Sequence, residues 1–102
     1  MSFKDDWVSS RRLFILRLLE EVDGEANESV IFLGCSHGGF ARDTEADICA
    51  DLNHLIKQRC ITEEWLNASL RVLRIEQRGT DAAYGRITVD GVQHSRWGGP
   101  GK

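Results

Sequence analysis

The sequence predicts an α+β domain of the winged helix-turn-helix class, with a three-helix core, a β-hairpin wing and a C-terminal helix. Three segments with helical apolar spacing come first, two strand-like segments follow, and a short segment closed by Gly85 comes last. A chain of 102 residues with 41% hydrophobic content suits one domain with a modest core. We assign residues 1–94 to this domain. Residues 95–102 have the composition of a flexible C-terminal tail, in which Trp97 is expected to be exposed.

The first two helices are marked by their ends. The first helix follows Asp5 and Asp6 and stops at the Asp23-Gly24 pair, and its buried face is predicted to hold Leu13, Leu16, Leu19 and Val22. The second opens at residues 26–29, with Asn27 as its N-cap, and ends at the Gly38-Gly39 pair. A strand over residues 29–35 is the alternative, but the Asn-Glu start and the Gly-Gly stop favour a helix.

The third helix follows the turn GGFARD and runs to about Arg59. Either Asp43 or Thr44 is expected to cap it. The buried face is predicted to contain Ile48, Leu52, Leu55 and Ile56. The outward positions are predicted to be Glu45, Ala46, Cys49, Ala50 and Asn53.

Two strands, residues 61–66 and 69–74, are predicted to form a hairpin around Asn67-Ala68. We expect Val72 to join the core formed by Leu16, Leu19, Ile48, Leu52 and Leu55, and Trp65 to pack in the core or at the base of the hairpin. The last helix covers residues 75–85. Residues 86–89 are expected either to add a strand or to pack against the first helix.

Charge is unevenly distributed along the chain, whose net charge is −3. Residues 1–64 hold 7 basic and 13 acidic residues, whereas residues 65–102 hold 6 basic and 3 acidic residues. A phosphate-contacting surface is therefore expected in the last third, where Arg71, Arg74 and Arg78 lie close together. Arg11 and Arg12 are interpreted as ordinary solvated charges that are also available to phosphates or to partner carboxylates.

The sequence offers little for catalysis or metal binding. Cys35, Cys49 and Cys60 include no C-x₂-C pair, so we interpret the thiols as small apolar fillers rather than zinc ligands alongside His37 and His54. No nucleophile elbow or phosphate loop is present. We expect no metal, no cofactor and no enzymatic activity. No run of apolar residues is long enough to span a membrane, and the polar start does not suit a signal peptide, so a cytoplasmic protein is expected.

Several short motifs occur in the order found in a known family. They are Asn27-Glu28-Ser29, then Asp51-Leu52-Asn53-His54-Leu55, then the run from Glu76 to Ala83. In this order they resemble small winged-helix proteins of Mu-like transposable phages and prophages, often labelled ArsR-like regulators, over roughly residues 10–94. The resemblance implies a phage or prophage protein acting in a bacterial host. Its members tend to carry arginine at the positions of Glu45, Asp47 and Cys49.

The function expected from this fold is DNA binding by a small transcriptional regulator. The third helix would enter the major groove and the hairpin arginines would contact phosphates. The candidate contacts are Arg42, Thr44, Glu45, Cys49, Asn53, Arg71, Arg74 and Arg78. The acids of the first helical turn would limit the affinity. The expected partners are double-stranded DNA and a second copy of the chain meeting through its terminal helices. The alternative is a protein-interaction module whose partner is an unidentified phage or host protein.

Overall fold

The order of elements differs from the predicted one by a single added strand. A computed structural model describes residues 2–96 of the chain. The elements are α1 (Phe3–Glu21), β1 (Glu25–Asn27), α2 (Glu28–Cys35), α3 (Glu45–Lys57), β2 (Ile61–Asn67), β3 (Leu70–Ile75) and α4 (Gln77–Ala83). A wide helical turn, Ser36–Phe40, continues α2. The predictions for Trp97 and the rest of residues 97–102 lie outside the described residues.

Helix α1 begins earlier than the sequence indicated. Ser2 is its N-cap, and the Ser2 hydroxyl accepts a hydrogen bond from the Asp5 backbone N–H at 3.1 Å. Asp5 and Asp6 therefore lie within the first turn, where carboxylates complement the helix dipole, instead of preceding the helix. The predicted stop is confirmed, because Asp23 and Gly24 both adopt positive φ angles that a helix cannot continue.

Strand β1 was missed because it is only three residues long. It pairs with β3, and its last residue, Asn27, is also the N-cap of α2. The Asn27 side chain accepts from the Val30 backbone N–H at 3.0 Å, as expected for this cap. The helical prediction for residues 29–35 is confirmed. Gly39, with φ of 104°, ends the helical turn that follows α2.

The three strands form one antiparallel sheet in the order β1-β3-β2. The β2–β3 hairpin has an irregularity in register between Trp65 and Asn67, near its tip. Within residues 2–96, four helices and a three-stranded antiparallel sheet make this an α+β fold, and the arrangement is consistent with a winged-helix-like fold.

The core joins α1, α3 and β3, but through a different strand residue from the one predicted. Leu16, Leu19, Ile48, Leu52 and Leu55 are all buried, as expected. Val72 is only half-buried, and its neighbour Leu73 is fully buried instead. The prediction for Val72 was wrong because Ala26 and Leu73 are cross-strand partners on the inner face of the sheet, which assigns Val72 to the outer face.

The segment after α4 packs back onto α1. Gln93 donates its backbone N–H to the Ser9 carbonyl at 3.1 Å, and Val89 and Val92 are buried. Of the two alternatives for residues 86–89, packing is therefore the one adopted, and no strand forms there. Ser95, which we assigned to the tail, is buried, and its hydroxyl accepts from Arg17. Ser95 therefore contacts α1.

Candidate interaction surface of the third helix and the hairpin

The solvent-facing side of α3 carries small side chains. Ala46, Ala50 and Asn53 are exposed at successive turns of the helix, and Lys57 is exposed at its end. Alanine side chains allow another molecule to approach the helix backbone closely. Between the first turn of α3 and Lys57, the exposed side chains are therefore small and uncharged.

The acidic first turn of α3 is part of its cap. The Thr44 hydroxyl accepts from the Asp47 backbone N–H at 3.1 Å, and the Asp47 carboxylate accepts from the Thr44 backbone N–H at 3.0 Å. The hydrogen bond from the Thr44 backbone N–H, together with the one from its hydroxyl, lowers the pKa of Asp47 below its usual value. The choice between Asp43 and Thr44 is thereby settled for Thr44. Asp47 serves the helix, and Glu45 is the exposed acid left in this turn.

The Asp43 carboxylate accepts hydrogen bonds from two side chains of α1. The Arg11 Nη1 donates to its carboxylate at 2.8 Å, and the Trp7 indole N–H donates to the same oxygen at 2.9 Å. Arg11 is buried and also donates to Asp51, a buried residue of α3. Arg12 donates to the other Asp51 oxygen at 3.0 Å. The interpretation of Arg11 and Arg12 as solvated charges was wrong, because both arginines neutralise carboxylates within the domain.

Arg71 lies at the centre of the contact between α2, α3 and the hairpin. Its Nη2 donates to Glu28 at 2.8 Å, and its Nη1 donates to Glu63 and to the Asn53 amide oxygen, each at 3.1 Å. The guanidinium carbon lies 5.3 Å from the centre of the Trp65 ring. Only 5% of Arg71 is exposed. Its charge is therefore paired inside the domain, away from solvent.

The remaining candidate arginines have different surroundings. Arg74 is exposed on the outer face of the sheet, but its guanidinium bridges Glu25 and Glu64. Arg78 is exposed on α4 and donates to the Gln58 carbonyl at 2.7 Å. Arg42 is exposed in the turn before α3. Arg78 and Arg42 therefore keep their charges toward solvent, whereas Arg74 shares its charge with two carboxylates.

The hairpin network holds more carboxylates than arginines. The carboxylates are Glu25, Glu28, Glu63, Glu64 and Glu76, of which the last accepts from Thr62. The guanidiniums are those of Arg71 and Arg74. Around the hairpin the charge is thus net negative, although residues 65–102 as a whole are net positive.

Two large apolar side chains are exposed near the tip of the hairpin. Trp65 is 54% exposed and Leu66 is 56% exposed. The expectation that Trp65 packs in the core or at the hairpin base was wrong. Arg71, the cross-strand partner of Trp65, is buried instead, and its guanidinium packs against the face of the Trp65 ring.

The thiols are not activated. Burial raises the pKa of Cys35 to about 11 and also raises the pKa of Cys60. Cys49 on α3 is half-buried and donates to the Glu28 carboxylate, with 3.3 Å between sulfur and oxygen. Partial burial, followed by this hydrogen bond, raises the pKa of Cys49. Within residues 2–96, no three His, Cys, Asp or Glu side chains come together in a way that would hold a metal ion.

Neither Glu28 nor Glu63 was predicted from the sequence as a partner of Arg71. Glu28 is 43 residues away along the chain, and this pairing depends on how α2 packs against the sheet. Glu63 lies eight residues before Arg71, at a separation a hairpin can bring together. That local signal was available, because opposite charges on paired strands attract each other.

Together, the fold and this surface define a small α+β domain in which the capped helix α3 and the acidic hairpin are in contact through Asn53 and Arg71. Among the helices of residues 2–96, none has the length and apolar character needed to cross a membrane. The chain is 34% identical over 94 residues to the protein gp26 of Escherichia phage Mu, described as uncharacterised, covering 90% of this chain and 94% of gp26. It therefore belongs to the family of Mu gp26.

This membership confirms the Mu-like phage part of the sequence resemblance. The winged-helix and regulator parts remain predictions. No family model matches the chain. No solved structure matches it either.

Proposed function

We propose that this protein is a winged-helix domain that binds a protein partner through the outer face of α3 and the β2–β3 hairpin. The supporting observation is a contrast within the hairpin. Arg71 and Arg74 are each bound by two glutamates, whereas Trp65 and Leu66 remain more than half exposed. Exposed aromatic side chains such as that of Trp65 are typical of protein interfaces, in which tryptophan is enriched.

The charge around the hairpin argues against DNA as the first choice. Affinity for DNA comes mainly from Lys and Arg side chains that neutralise phosphates. Arg71 would have to leave Glu28 and Glu63 to do so, and those carboxylates would then lie unpaired close to the phosphates. The wing arginines of the DNA-binding hypothesis are therefore poorly suited to phosphate contacts.

DNA binding by a small transcriptional regulator is the second candidate, and one observation favours it. The carboxylates of Asp43 and Asp47 accept hydrogen bonds from Arg11 and from the Thr44 backbone. They should therefore repel DNA phosphates less than their positions in the sequence indicated. Arg42 precedes α3 and Lys57 is exposed at its end. A helix of 13 residues is about 20 Å long, long enough to carry cations to both sides of a major groove.

The wider setting is also part of the proposal. The protein would act in the cytoplasm of the bacterial host during phage or prophage development, without a cofactor and without enzymatic activity. A homodimer through the terminal helices remains a proposal as well. It is supported by Phe3 near the start of α1, which is 79% exposed beside Trp7.

Affinity capture from bacteria carrying an induced Mu-like prophage tests the proposed function. The baits are the wild type, a Trp65→Ser/Leu66→Ser variant, and a Leu33→Ser control that removes an exposed apolar side chain of α2. We expect a protein that is retained by the wild type and the control after nuclease treatment and is lost with the double variant. Equal recovery with the double variant, or recovery that nuclease abolishes, would contradict the proposal.

A further inference from the structure

Strand β2 is an open edge of the sheet. In the order β1-β3-β2 it pairs with β3 alone among the described strands. Six of its seven residues, 62–67, are exposed. An edge strand of this length presents a row of backbone N–H and C=O groups that another extended chain can pair with.

The edge carries few of the features that usually block such pairing. Residues 61–67 contain no proline and no lysine, and the register irregularity lies close to the tip, after Trp65. The stretch from Thr62 to Trp65 pairs regularly with β3. The main protection is charge, which Glu63 and Glu64 provide at the middle of the strand.

This charge selects against a second copy of the same chain. Two β2 strands paired antiparallel about a two-fold axis would bring Glu63 and Glu64 of one copy against those of the other. Arg71 and Arg74 do not remove the repulsion, because each is already shared between two glutamates. A segment with lysine or arginine at two adjacent positions, one on each face of the sheet, would instead complement Glu63 and Glu64.

The apolar side chains at the end of the strand supply anchors. Trp65 projects from the same side of the sheet as Arg71, which lies directly opposite it in the hairpin. Hydrogen bonds to Glu28 and Glu63 fix the Arg71 side chain. The guanidinium that packs against the Trp65 ring is therefore already in place in the unbound protein. A rigid aromatic side chain loses little conformational freedom when it is covered.

We propose that β2 accepts an extended basic segment of the partner protein as a fourth strand, with Trp65 and Leu66 contacting its apolar side chains. This inference rests on the proposed function and specifies the chemistry and the geometry of the partner. The backbone hydrogen bonds would supply affinity. The carboxylates and the two apolar side chains would supply selectivity.

Selection from a library of random peptides of about twelve residues, with the full chain as bait, tests this inference. We expect the enriched peptides to carry lysine or arginine at two adjacent positions and to lack proline. Binding should slow hydrogen exchange at β2 amides. It should weaken by about tenfold in the Trp65→Ala/Leu66→Ala variant, and binding by a Leu33→Ala control, changed at an exposed apolar side chain of α2, should be unaltered. Methylation of the alternate peptide nitrogens that face β2 should abolish binding, because those nitrogens donate the hydrogen bonds to β2.

These outcomes distinguish strand addition at β2 from the more general proposal that the protein binds a protein partner. Peptides that protect α3 amides and tolerate nitrogen methylation would overturn strand addition and leave the protein-binding function standing. Enriched peptides that are acidic would overturn the charge argument and, with it, the inference. Failure to enrich any peptide, together with failure of the affinity capture, would overturn both.

Discussion

Asp51 shows how strongly a single buried charge is tied into this fold. It is 1% exposed, and its two oxygens accept from Arg11 and Arg12 of α1. Removing one member of a buried ionic cluster leaves the others without their partner, which costs several kcal/mol. We expect Asp51→Ala to lower the free energy of unfolding by about 3–5 kcal/mol in urea titrations.

The matched control for Asp51 is Glu45→Gln, which also removes one negative charge from α3 but at an exposed position. Its effect should stay within about 0.5 kcal/mol. Equal effects of Asp51→Ala and Glu45→Gln would mean that the Arg11–Asp51–Arg12 cluster does not hold α1 on α3.

Cys35 gives the stability a dependence on alkaline pH. Burial raises the pKa of its thiol from 9.0 to about 11. Because the unfolded chain loses this proton first, the contribution of the thiol is fully present below about pH 9 and is lost as the pH rises toward about 11. The loss should reach roughly 2–3 kcal/mol.

Comparison with Cys35→Ala isolates this effect, because the two proteins differ only at this side chain. The difference in unfolding free energy between wild type and variant should shrink across this range. A constant difference from pH 8 to pH 11 would show that the thiol titrates normally.

At the level of elements, the register of β3 decides which residue joins the core. Leu73 is fully buried and Val72 is half-buried on the other face. We expect Leu73→Ala to cost about 2–5 kcal/mol, as does truncation of other buried leucines, and Val72→Ala to cost clearly less. Thermal unfolding of both variants measures the contrast. A larger loss for Val72→Ala would reverse the assigned register.

The helices were easier to predict than the strands because their signals are local. Asn27 and Thr44 cap helices through side-chain bonds to backbone N–H groups three residues later, and such spacings are visible in the sequence. Gly39 is also a local signal, because glycine tolerates the positive φ that ends a helix. Strand β1 has no comparable signal. Its three residues become a strand only because β3, far along the chain, lies beside them.

For the whole molecule, the sequence predicted the fold better than it predicted the surface. The surface prediction relied on where charged residues lie along the chain. Arginines between residues 71 and 78 and acids between 43 and 47 led to the expectation of a basic hairpin facing an acidic helix end. The fold pairs both groups internally, Arg71 with Glu28 and Glu63, and Asp43 with Arg11. Such pairs join segments that are distant in the chain, so their formation depends on tertiary packing that charge counts do not contain.

Titration of a fluorescent duplex of random sequence tests most directly whether the hairpin arginines are withheld from DNA. Three proteins are compared at about 50 mM salt: the wild type, Glu63→Gln/Glu64→Gln, and Glu20→Gln/Glu21→Gln, which changes the net charge equally but on α1. We predict no saturable binding by the wild type up to about 10 µM, and tighter binding only in the hairpin variant, which removes one of the two glutamate partners from each of Arg71 and Arg74. Micromolar binding by the wild type would contradict the account, above all with a logarithmic salt slope of about two or more that the hairpin variant leaves unchanged.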